Sequence, residues 1–212
     1  MCSECPTALA GDLMGAFPTL VAHHQDLVYG VARRNSRSAD EAEDLAQDAF
    51  VRAYRALVTY DAERIRSLHL RGWLARITIN LARNRARDRE PESADLEAVP
   101  DRGDDRAPSP ERLAERRESA VMWRRLLSGL PSRYRAAVEL RHVEGLSYPE
   151  LAEALGKPLG TVKSDVHRGI GLLRSAYLAS ESTRSWMTGS EDGNRVGSVR
   201  VAARTTPEVM IR

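Results

Sequence analysis

The chain has 212 residues, enough for one large domain or two small ones. Hydrophobic residues make up 42%, aromatic residues only 5% and charged residues 29%, which is typical of small helical domains and disfavours a large sheet enzyme. The net charge of +2 conceals segregated blocks, because residues 71–90 carry a net charge of +4 and residues 90–105 one of −6. Blocks of opposite charge indicate different partners for different segments.

The N-terminal segment MCSECPTALA lacks the basic start and apolar core of a secretory signal. No apolar run approaches the ~18 residues that span a bilayer, so we expect a cytoplasmic protein with no membrane partner. Cys2 and Cys5 are the only cysteines. A zinc site would need two more ligands, and only His23 and His24 lie nearby, at an unconventional spacing. The pattern favours a mobile tail over residues 1–12 with two reduced thiols, no metal site and no cofactor.

Three helices are predicted before residue 90. The first covers residues 18–34, with Pro18 at its start, where a missing N–H costs nothing. The second covers residues 39–57, with Ser38 as its N-cap, and has an outward polar face opposite its apolar face. That outward face comprises Asp44, Gln47, Asp48, Val51 and Arg55. The third covers residues 71–89, and one of its faces carries Arg76, Asn80, Arg83 and Arg87, separate from the inward Leu74, Ile77 and Leu81.

Residues 91–109 contain three prolines, one glycine and no sustained apolar period. They predict an extended acidic linker and therefore a domain boundary. Further helices are predicted over residues 110–128, 132–143, 147–155 and 159–178, with a capping box from Ser147 to Glu150. The tail over residues 179–212 is rich in Ser, Thr and Gly, which favours disorder.

The stretch LAEALGKPLGTVKSDVHRGIGLLR, residues 151–174, predicts two helices around a tight break at residues 156–158. The second helix has an apolar side, formed by Val162, Val166, Ile170 and Leu173. Its opposite side carries Lys163, Ser164, His167 and Arg168, which suit phosphates and the O6/N7 edge of guanine. This favours a helix-turn-helix that reads the major groove. A structural helical hairpin with a solvated face is the alternative.

Two blocks of sequence resemble one protein family. LPSRYRAAVELRHVEGLSYPELAEALGKPLGTVKSDVHRGIGLLR resembles the promoter-binding C-terminal domain of the extracytoplasmic-function sigma factors of bacteria. DEAEDLAQDAFVRAYRAL and RGWLARITINLARNRARDR resemble the N-terminal domain of the same family. The resemblance covers residues 13–178. It implies an all-α fold with a sigma region 2-like bundle over 13–90 and a sigma region 4-like helix-turn-helix domain over 110–178.

The resemblance implies a dissociable subunit of bacterial RNA polymerase that selects promoters and helps to open the DNA, and that is not an enzyme. Its implied partners are core RNA polymerase, through the clamp helices and the flap, and promoter DNA, with an anti-sigma factor as a further candidate. The implied polymerase-binding residues are Asp44, Gln47, Asp48, Val51 and Arg55. Those facing the −10 element are Tyr60, Trp73, Arg76, Asn80, Arg83 and Arg87, with the loop 59–70 receiving a flipped base. Those facing the −35 element are Thr161, Lys163, Ser164, His167 and Arg168.

The chain departs from the family pattern at two places. Leu70 stands where the family usually has an aromatic residue, and the run from Gly169 to Gly171 stands where Ala, Arg and Glu are common. The run predicts weak −35 engagement, and because glycine costs about 0.8–1 kcal/mol in a helix, Gly169→Ala is predicted to stabilise by about 0.5–1 kcal/mol.

Other functions fit the sequence less well. The main alternative is a helix-turn-helix transcriptional regulator that binds an operator as a dimer without polymerase, but residues 13–90 show no sensor motif. No catalytic motif indicates an enzyme. A structural adaptor would leave the basic face of residues 71–89 without a role.

Overall fold

The computed structural model describes residues 5–88 and 110–188, and within them every regular element is helical. Residues 1–176 form one compact unit and residues 177–212 a second. We call residues 5–88 the first region and residues 110–176 the second region. The predicted linker over 91–109 lies outside the described residues. Of the tail predicted as disordered over 179–212, residues 179–188 belong to the last helix, and the rest lies outside the described residues.

The first region contains five helices: α1 Cys5–Gly11, α2 Leu13–Arg34, α3 Ala39–Val58, α4 Ala62–Ser67 and α5 Leu70–Arg87. The second region begins with α6 Pro110–Ser128 and α7 Ser132–Val138, followed by a π-helical segment, Glu139–Val143. It continues with α8 Tyr148–Leu155 and α9 Leu159–Thr188, whose last residues, from Tyr177, belong to the second unit. The all-α prediction is confirmed.

The N-terminal part differs from the sequence prediction in two ways. The predicted tail contains α1, whose Cys5 and Leu9 are buried in the first core. A seven-residue helix is not stable alone, so its packing against neighbours holds it in place. The predicted start of the next helix at Pro18 was wrong, because α2 begins at Leu13 and Pro18 lies inside it. The cap is Asp12, whose side chain accepts a hydrogen bond from the Gly15 N–H at 2.9 Å.

The helices α3 and α5 form as predicted and build the core of the first region with α2. Ser38 caps α3 by accepting from the Glu41 N–H at 3.1 Å, which satisfies one of the free donors of the first turn. The largest fully buried side chains of this core include Leu20, Val28, Leu45, Leu57 and Leu74. The burial of one apolar face leaves the opposite faces of α3 and α5 at the surface.

A widened helical turn leads into the helix-turn-helix of the second region. The Glu144 N–H donates to the Glu139 carbonyl at 3.0 Å, five residues back, and Gly145 follows with a φ of 65°. Ser147 then begins α8 with the predicted capping box, in which the Ser147 N–H donates to the Glu150 carboxylate at 2.7 Å. Gly156 ends α8 with a φ of 62°, a left-handed conformation that favours glycine.

A second core joins the two regions within the first compact unit. From the first region it takes Leu27, Val31, Ala75 and Ile79. From the second region it takes Ala137, Leu140, Leu146, Leu151, Ala154, Val162 and Val166. The second region therefore packs its helix-turn-helix core directly on α2 and α5, a contact that the sequence did not predict.

Within residues 5–88 and 110–188, no helix is long and apolar enough to cross a membrane. The same residues hold no group of three metal-ligating side chains. Cys5 lies with its Sγ 3.3 Å from Nδ1 of His23, so this thiol packs against α2.

Candidate nucleic-acid interface

The outward face of α3 is exposed along its length. Val51, an apolar residue, is 47% exposed among these polar neighbours. Asp48 forms an ion pair between helices, because its Oδ2 lies 2.5 Å from Nη2 of Arg85 on α5. The face is therefore open to a partner, and Asp48 also ties α3 to α5.

The four polar residues predicted on one face of α5 lie at its surface. Arg76, Asn80, Arg83 and Arg87 are exposed or half-exposed, while Leu74 and Leu81 on the other side are buried. A surface of arginine and asparagine side chains offers donors to phosphates and to base edges.

A cavity of about 300 Å³ opens beside this face, near the lower limit of small-ligand sites. Four of the residues predicted for the −10 element line it: Tyr60, Trp73, Arg76 and Asn80. The remaining lining residues are Arg64, Leu68, Ile77 and Glu153. Arg83 and Arg87 are not among the lining residues.

Aromatic rings form part of the cavity wall. The rings of Tyr60 and Trp73 have centroids 6.1 Å apart at an angle of 56°, and the Arg64 guanidinium lies 3.7 Å from the Tyr60 centroid. The sequence prediction missed Arg64, because Arg64 lies on α4 while Tyr60 precedes that helix, so helical spacing does not relate them. Leu70, which replaces the family's aromatic residue, is buried in the first core, so Tyr60 and Trp73 supply the aromatic walls. A planar ring could stack here and receive hydrogen bonds from neighbouring side chains.

A buried carboxylate ties the second helix of the helix-turn-helix to the turn and to α7. Asp165 is 4% exposed. Its oxygens lie 2.9 Å from Nζ of Lys157 in the turn and 3.8 Å from Nε of Arg133 on α7. The buried Val162 and Val166 anchor the same helix from the apolar side. These contacts fix the first turns of α9 relative to the turn, to α7 and to the shared core.

The predicted −35 residues form one exposed surface on α9, which comprises Thr161, Lys163, Ser164, His167 and Arg168. The Ser164 hydroxyl donates to the Gly160 carbonyl at 3.0 Å. Hydrogen bonds from Arg168 and then Arg133 lower the pKa of Tyr134, because positive donors favour the phenolate. The structure thus brings together the five side chains that the sequence singled out.

The apolar side of α9 differs from the prediction at two positions. Ile170 was predicted on the core face but is 42% exposed. Gly169 is buried in its place, and a Cβ there would lie 2.5 Å from Cγ2 of Val138 and 3.2 Å from the Tyr134 carbonyl oxygen. The predicted stabilisation by Gly169→Ala is therefore wrong, because the close approach of α7 requires glycine. At Gly171 a Cβ would meet nothing within 4 Å.

Comparisons with known proteins match both regions. The chain matches the Sigma-70 region 2 family over residues 20–92 and the Sigma-70 region 4 family over residues 120–173. It is 37% identical to the RNA polymerase sigma-H factor of Pseudomonas aeruginosa, over 72% of this chain and 81% of that one. The chain belongs to the extracytoplasmic-function family of RNA polymerase sigma factors. This sigma factor is also 38% identical to SigE of Mycolicibacterium smegmatis, over 81% of its own length and 65% of SigE.

Solved structures agree with the fold of this sigma factor. CnrH, in complex with the cytosolic domain of CnrY, superposes with a TM-score of 0.59 at 26% identity, over 84% of this chain and 97% of CnrH. The sigma factor RpoE of Bartonella quintana gives a TM-score of 0.55 at 23% identity, over 75% of this chain and 94% of RpoE, which supports the fold alone. The two-region helical architecture and the sigma-factor function are confirmed, and the operator-binding regulator is not favoured.

Proposed function

We propose that this sigma factor divides its work among three surfaces. The outward face of α3 docks on the clamp helices of core RNA polymerase. The α5 face and its cavity hold the opened −10 element, and the exposed face of α9 reads the −35 element as duplex DNA. The observation that carries the proposal is the cavity, where the aromatic walls of Tyr60 and Trp73 adjoin the donors of Arg76 and Asn80.

The −10 surface suits an unstacked base. Taking a base out of the duplex costs a few kcal/mol, so a receiving site must supply stacking and hydrogen bonds. Tyr60 and Trp73 offer the rings, and Arg76 and Asn80 offer donors at the same cavity. Arg83, farther along α5, adds charge for the phosphates of the single strand.

The −35 surface suits the major groove. The first turns of α9 carry Lys163, Ser164, His167 and Arg168, and the Asp165 contacts hold them in a fixed orientation. In a helix-turn-helix these N-terminal turns contact base edges. We propose a first domain over 13–90 that carries the α3 and α5 surfaces, an acidic linker over 91–109 and a second domain over 110–178 that carries the α9 surface.

An anti-sigma factor is a further proposed partner. The similar RpoE structure holds the anti-sigma factor NepR, and the CnrH structure holds the cytosolic domain of CnrY. These relatives support a protein inhibitor for this chain too. Because its proposed work is done on polymerase and the chromosome, we place its action in the cytoplasm.

The function is tested by transcription with core RNA polymerase and genomic DNA of the source organism, with and without the protein. We expect new transcript start sites that depend on the protein and share −35 and −10 sequences. Tight binding of the isolated protein to duplex DNA, with no new start sites, would support the operator-binding regulator instead.

Two sets of variants separate the surfaces. Asp44→Lys puts a like charge against the basic polymerase surface, which costs several kcal/mol, so we expect loss of core binding in a pull-down. Glu43→Lys, an exposed reversal beside the proposed face, is the matched control. Asp48 is avoided because it pairs with Arg85. Arg76→Ala with Arg83→Ala should keep core binding and lose promoter opening in a permanganate footprint. Loss of core binding in this double variant would contradict the division.

A further inference from the structure

The short helix α1 supports the helix that carries one wall of the −10 cavity. That helix, α4, contributes Arg64 and Leu68 to the lining, and Tyr60 lies just before it. Among the described helices, α4 has its main backbone contacts with α1, and α1 also packs on α2. Because α4 has only six residues, it is too short to be stable alone, and its position depends on what lies behind it.

Apolar packing connects α1 with the lining of the cavity. Leu9 of α1 and Ile65 of α4 are both buried, and both belong to the core of the first region. Tyr60 and Leu68 pack partly against the same core, and both line the cavity. The side chains that α1 buries therefore lie in one cluster with side chains of the cavity wall.

The helix α1 is itself fixed on the larger bundle. Asp12 joins it to α2, because the Asp12 N–H donates to the Ala8 carbonyl at 2.9 Å and the Asp12 side chain caps α2. Cys5 adds a side-chain contact, with its Sγ 3.3 Å from Nδ1 of His23 on α2. Since α2 packs on α3 and α5, α1 links the position of α4 to the rest of the first region.

The wall that α1 supports has a defined geometry. Asp61 caps α4 by accepting a hydrogen bond from the Arg64 N–H at 2.8 Å. The Arg64 guanidinium lies 3.7 Å from the centroid of the Tyr60 ring, and the Trp73 ring on α5 lies 6.1 Å from the Tyr60 ring. A tilt of α4 would move Arg64 and Leu68 and leave Trp73 in place. The space for a base between the two sides therefore depends on the position of α4.

We propose that α1 is a positioning element for the base-receiving cavity, and that Leu9 is its main positioning residue. Leu9 is buried and cannot touch DNA, but it determines how well the cavity distinguishes the base that it receives. The helix precedes the Sigma-70 region 2 match, which begins at residue 20. The inference rests on the proposed function of the α5 face and its cavity, and adds a support that lies behind the cavity.

Leu9→Ala tests the proposal, because it removes packing behind α4 and leaves every lining side chain of the cavity unchanged. Leu45→Ala is the matched control: Leu45 is an equally buried leucine of the same core, and its helix packs chiefly on α2 and α5. Hydrogen exchange of the free, full-length proteins is followed by mass spectrometry. Relative to the amides of α5, residues 62–68 should exchange about tenfold faster in Leu9→Ala, with no such difference in Leu45→Ala.

Base discrimination is the second measurement, and global destabilisation alone would not change it. Each protein is bound to core polymerase and transcribes a panel of promoters that carry each of the four bases at every −10 position. Because stacking of one base changes affinity roughly fivefold to a hundredfold, we expect Leu9→Ala to lose about tenfold of the strongest −10 preference. Leu45→Ala should keep this preference, and both variants should keep the −35 preference. Leu9→Met, which nearly conserves the volume, should restore the wild-type behaviour.

The outcomes separate the inference from the proposed function. Equal exchange ratios in Leu9→Ala and Leu45→Ala, or equal −10 preferences, would overturn the positioning role. If Leu9→Ala does not fold, Ala8→Gly replaces it, because glycine weakens the helix at an exposed position without removing a buried atom. If the wild-type protein gives no new start sites, the proposed function fails, and the exchange measurement then decides whether α1 positions α4.

Discussion

The two DNA-facing surfaces of this sigma factor differ in what lies against them. On α9 the proposed −35 residues are exposed, and Lys163, Ser164 and Arg168 contact neighbouring parts of the second region. On α5, Arg76 is paired with Glu153 and the cavity beside it is partly walled by the second region. Both surfaces are exposed, but the α5 surface is tied to the second region through the Arg76–Glu153 ion pair.

The contact between the two regions combines apolar packing with ion pairs. Ion pairs near the surface contribute about 0–1 kcal/mol each. The pairs that join the two regions, Arg34–Glu144, Arg71–Glu150 and Arg76–Glu153, would therefore not hold them together alone. The shared core of Leu27, Ile79, Leu151 and their neighbours supplies the larger stabilisation. The ion pairs orient the contact so that acidic side chains lie on the arginines.

The largest effect is expected for Leu151→Ala, in the shared core where the second region packs on α2 and α5. Leu151 is fully buried, and its truncation should cost about 2–5 kcal/mol of unfolding free energy. Urea unfolding measures the loss. Leu159→Ala, at an exposed leucine of α9, should stay within about 0.5 kcal/mol. Equal losses in both variants would mean that the shared core is not formed in solution.

The next effect concerns the open surface. His167→Ala and Arg168→Ala should each reduce −35 discrimination by about 1–3 kcal/mol if they contact bases directly. Because both side chains are exposed, the unfolding free energy should hardly change. The −35 discrimination is measured by transcription from a panel of −35 mutant promoters. A promoter with a premelted −10 element is transcribed beside them. Unchanged preference on the panel would refute the role of these residues.

Two glycines of α9, Gly169 against α7 and Gly171 in open space, give opposite predictions for substitution by alanine. Gly169→Ala should destabilise by about 1–3 kcal/mol, because the new methyl group overlaps Val138 and the Tyr134 carbonyl. Gly171→Ala should stabilise by about 0.4–1 kcal/mol, because the added methyl group has open space and alanine has less freedom in the unfolded chain. Thermal melts of the two variants should therefore move in opposite directions. A higher midpoint for Gly169→Ala would contradict the close packing of α7 on α9.

The smallest expected effect is a pH dependence of the unfolding free energy that comes from His24. Burial lowers the pKa of His24, with further lowering by Arg71 and His23, while Glu150 opposes it. Below the ordinary value of about 6.5, the unfolded chain therefore takes up a proton that the native state resists, and stability falls as pH falls. His24→Gln should lose part of this fall in urea unfolding between about pH 7.5 and 5.5.

The two raised carboxyl groups act in the opposite direction. Burial raises the pKa values of Glu139 and Glu144 although Arg34 lowers both, so their protonation favours the native state as pH falls. Both groups remain in the His24→Gln variant, so the difference between the two proteins isolates His24. Identical pH profiles for the wild type and His24→Gln would mean that His24 does not contribute to the pH dependence of stability.

Local signals explain what the sequence predicted well. The Ser38 cap, the Ser147 capping box and the left-handed Gly156 depend on nearby residues, and each was visible as a pattern of a few positions. Periodicity likewise placed Arg76 and Asn80 on one face. These features require no knowledge of distant parts of the chain.

Distant contacts explain what was missed. Gly169 looked like a weak point in a helix, and only the approach of α7 shows that it is a packing position. The sequence did not single out Gly72 on α5, although α8 lies against it from a segment more than seventy residues later. Pro18 matched a helix start, yet the helix begins earlier, at Leu13, because Asp12 caps it there and α1 packs against it.

The most direct test of the shared core is a distance measurement between the two regions that it joins. Spin labels at Val58→Cys on α3 and Leu172→Cys on α9, both exposed positions, would report it in a background of Cys2→Ser and Cys5→Ala. We predict one narrow distance distribution for the free wild-type protein, and a longer, broader one in the Gly72→Ala variant. A broad, long distribution in the free wild-type protein, unchanged by Gly72→Ala, would contradict the account.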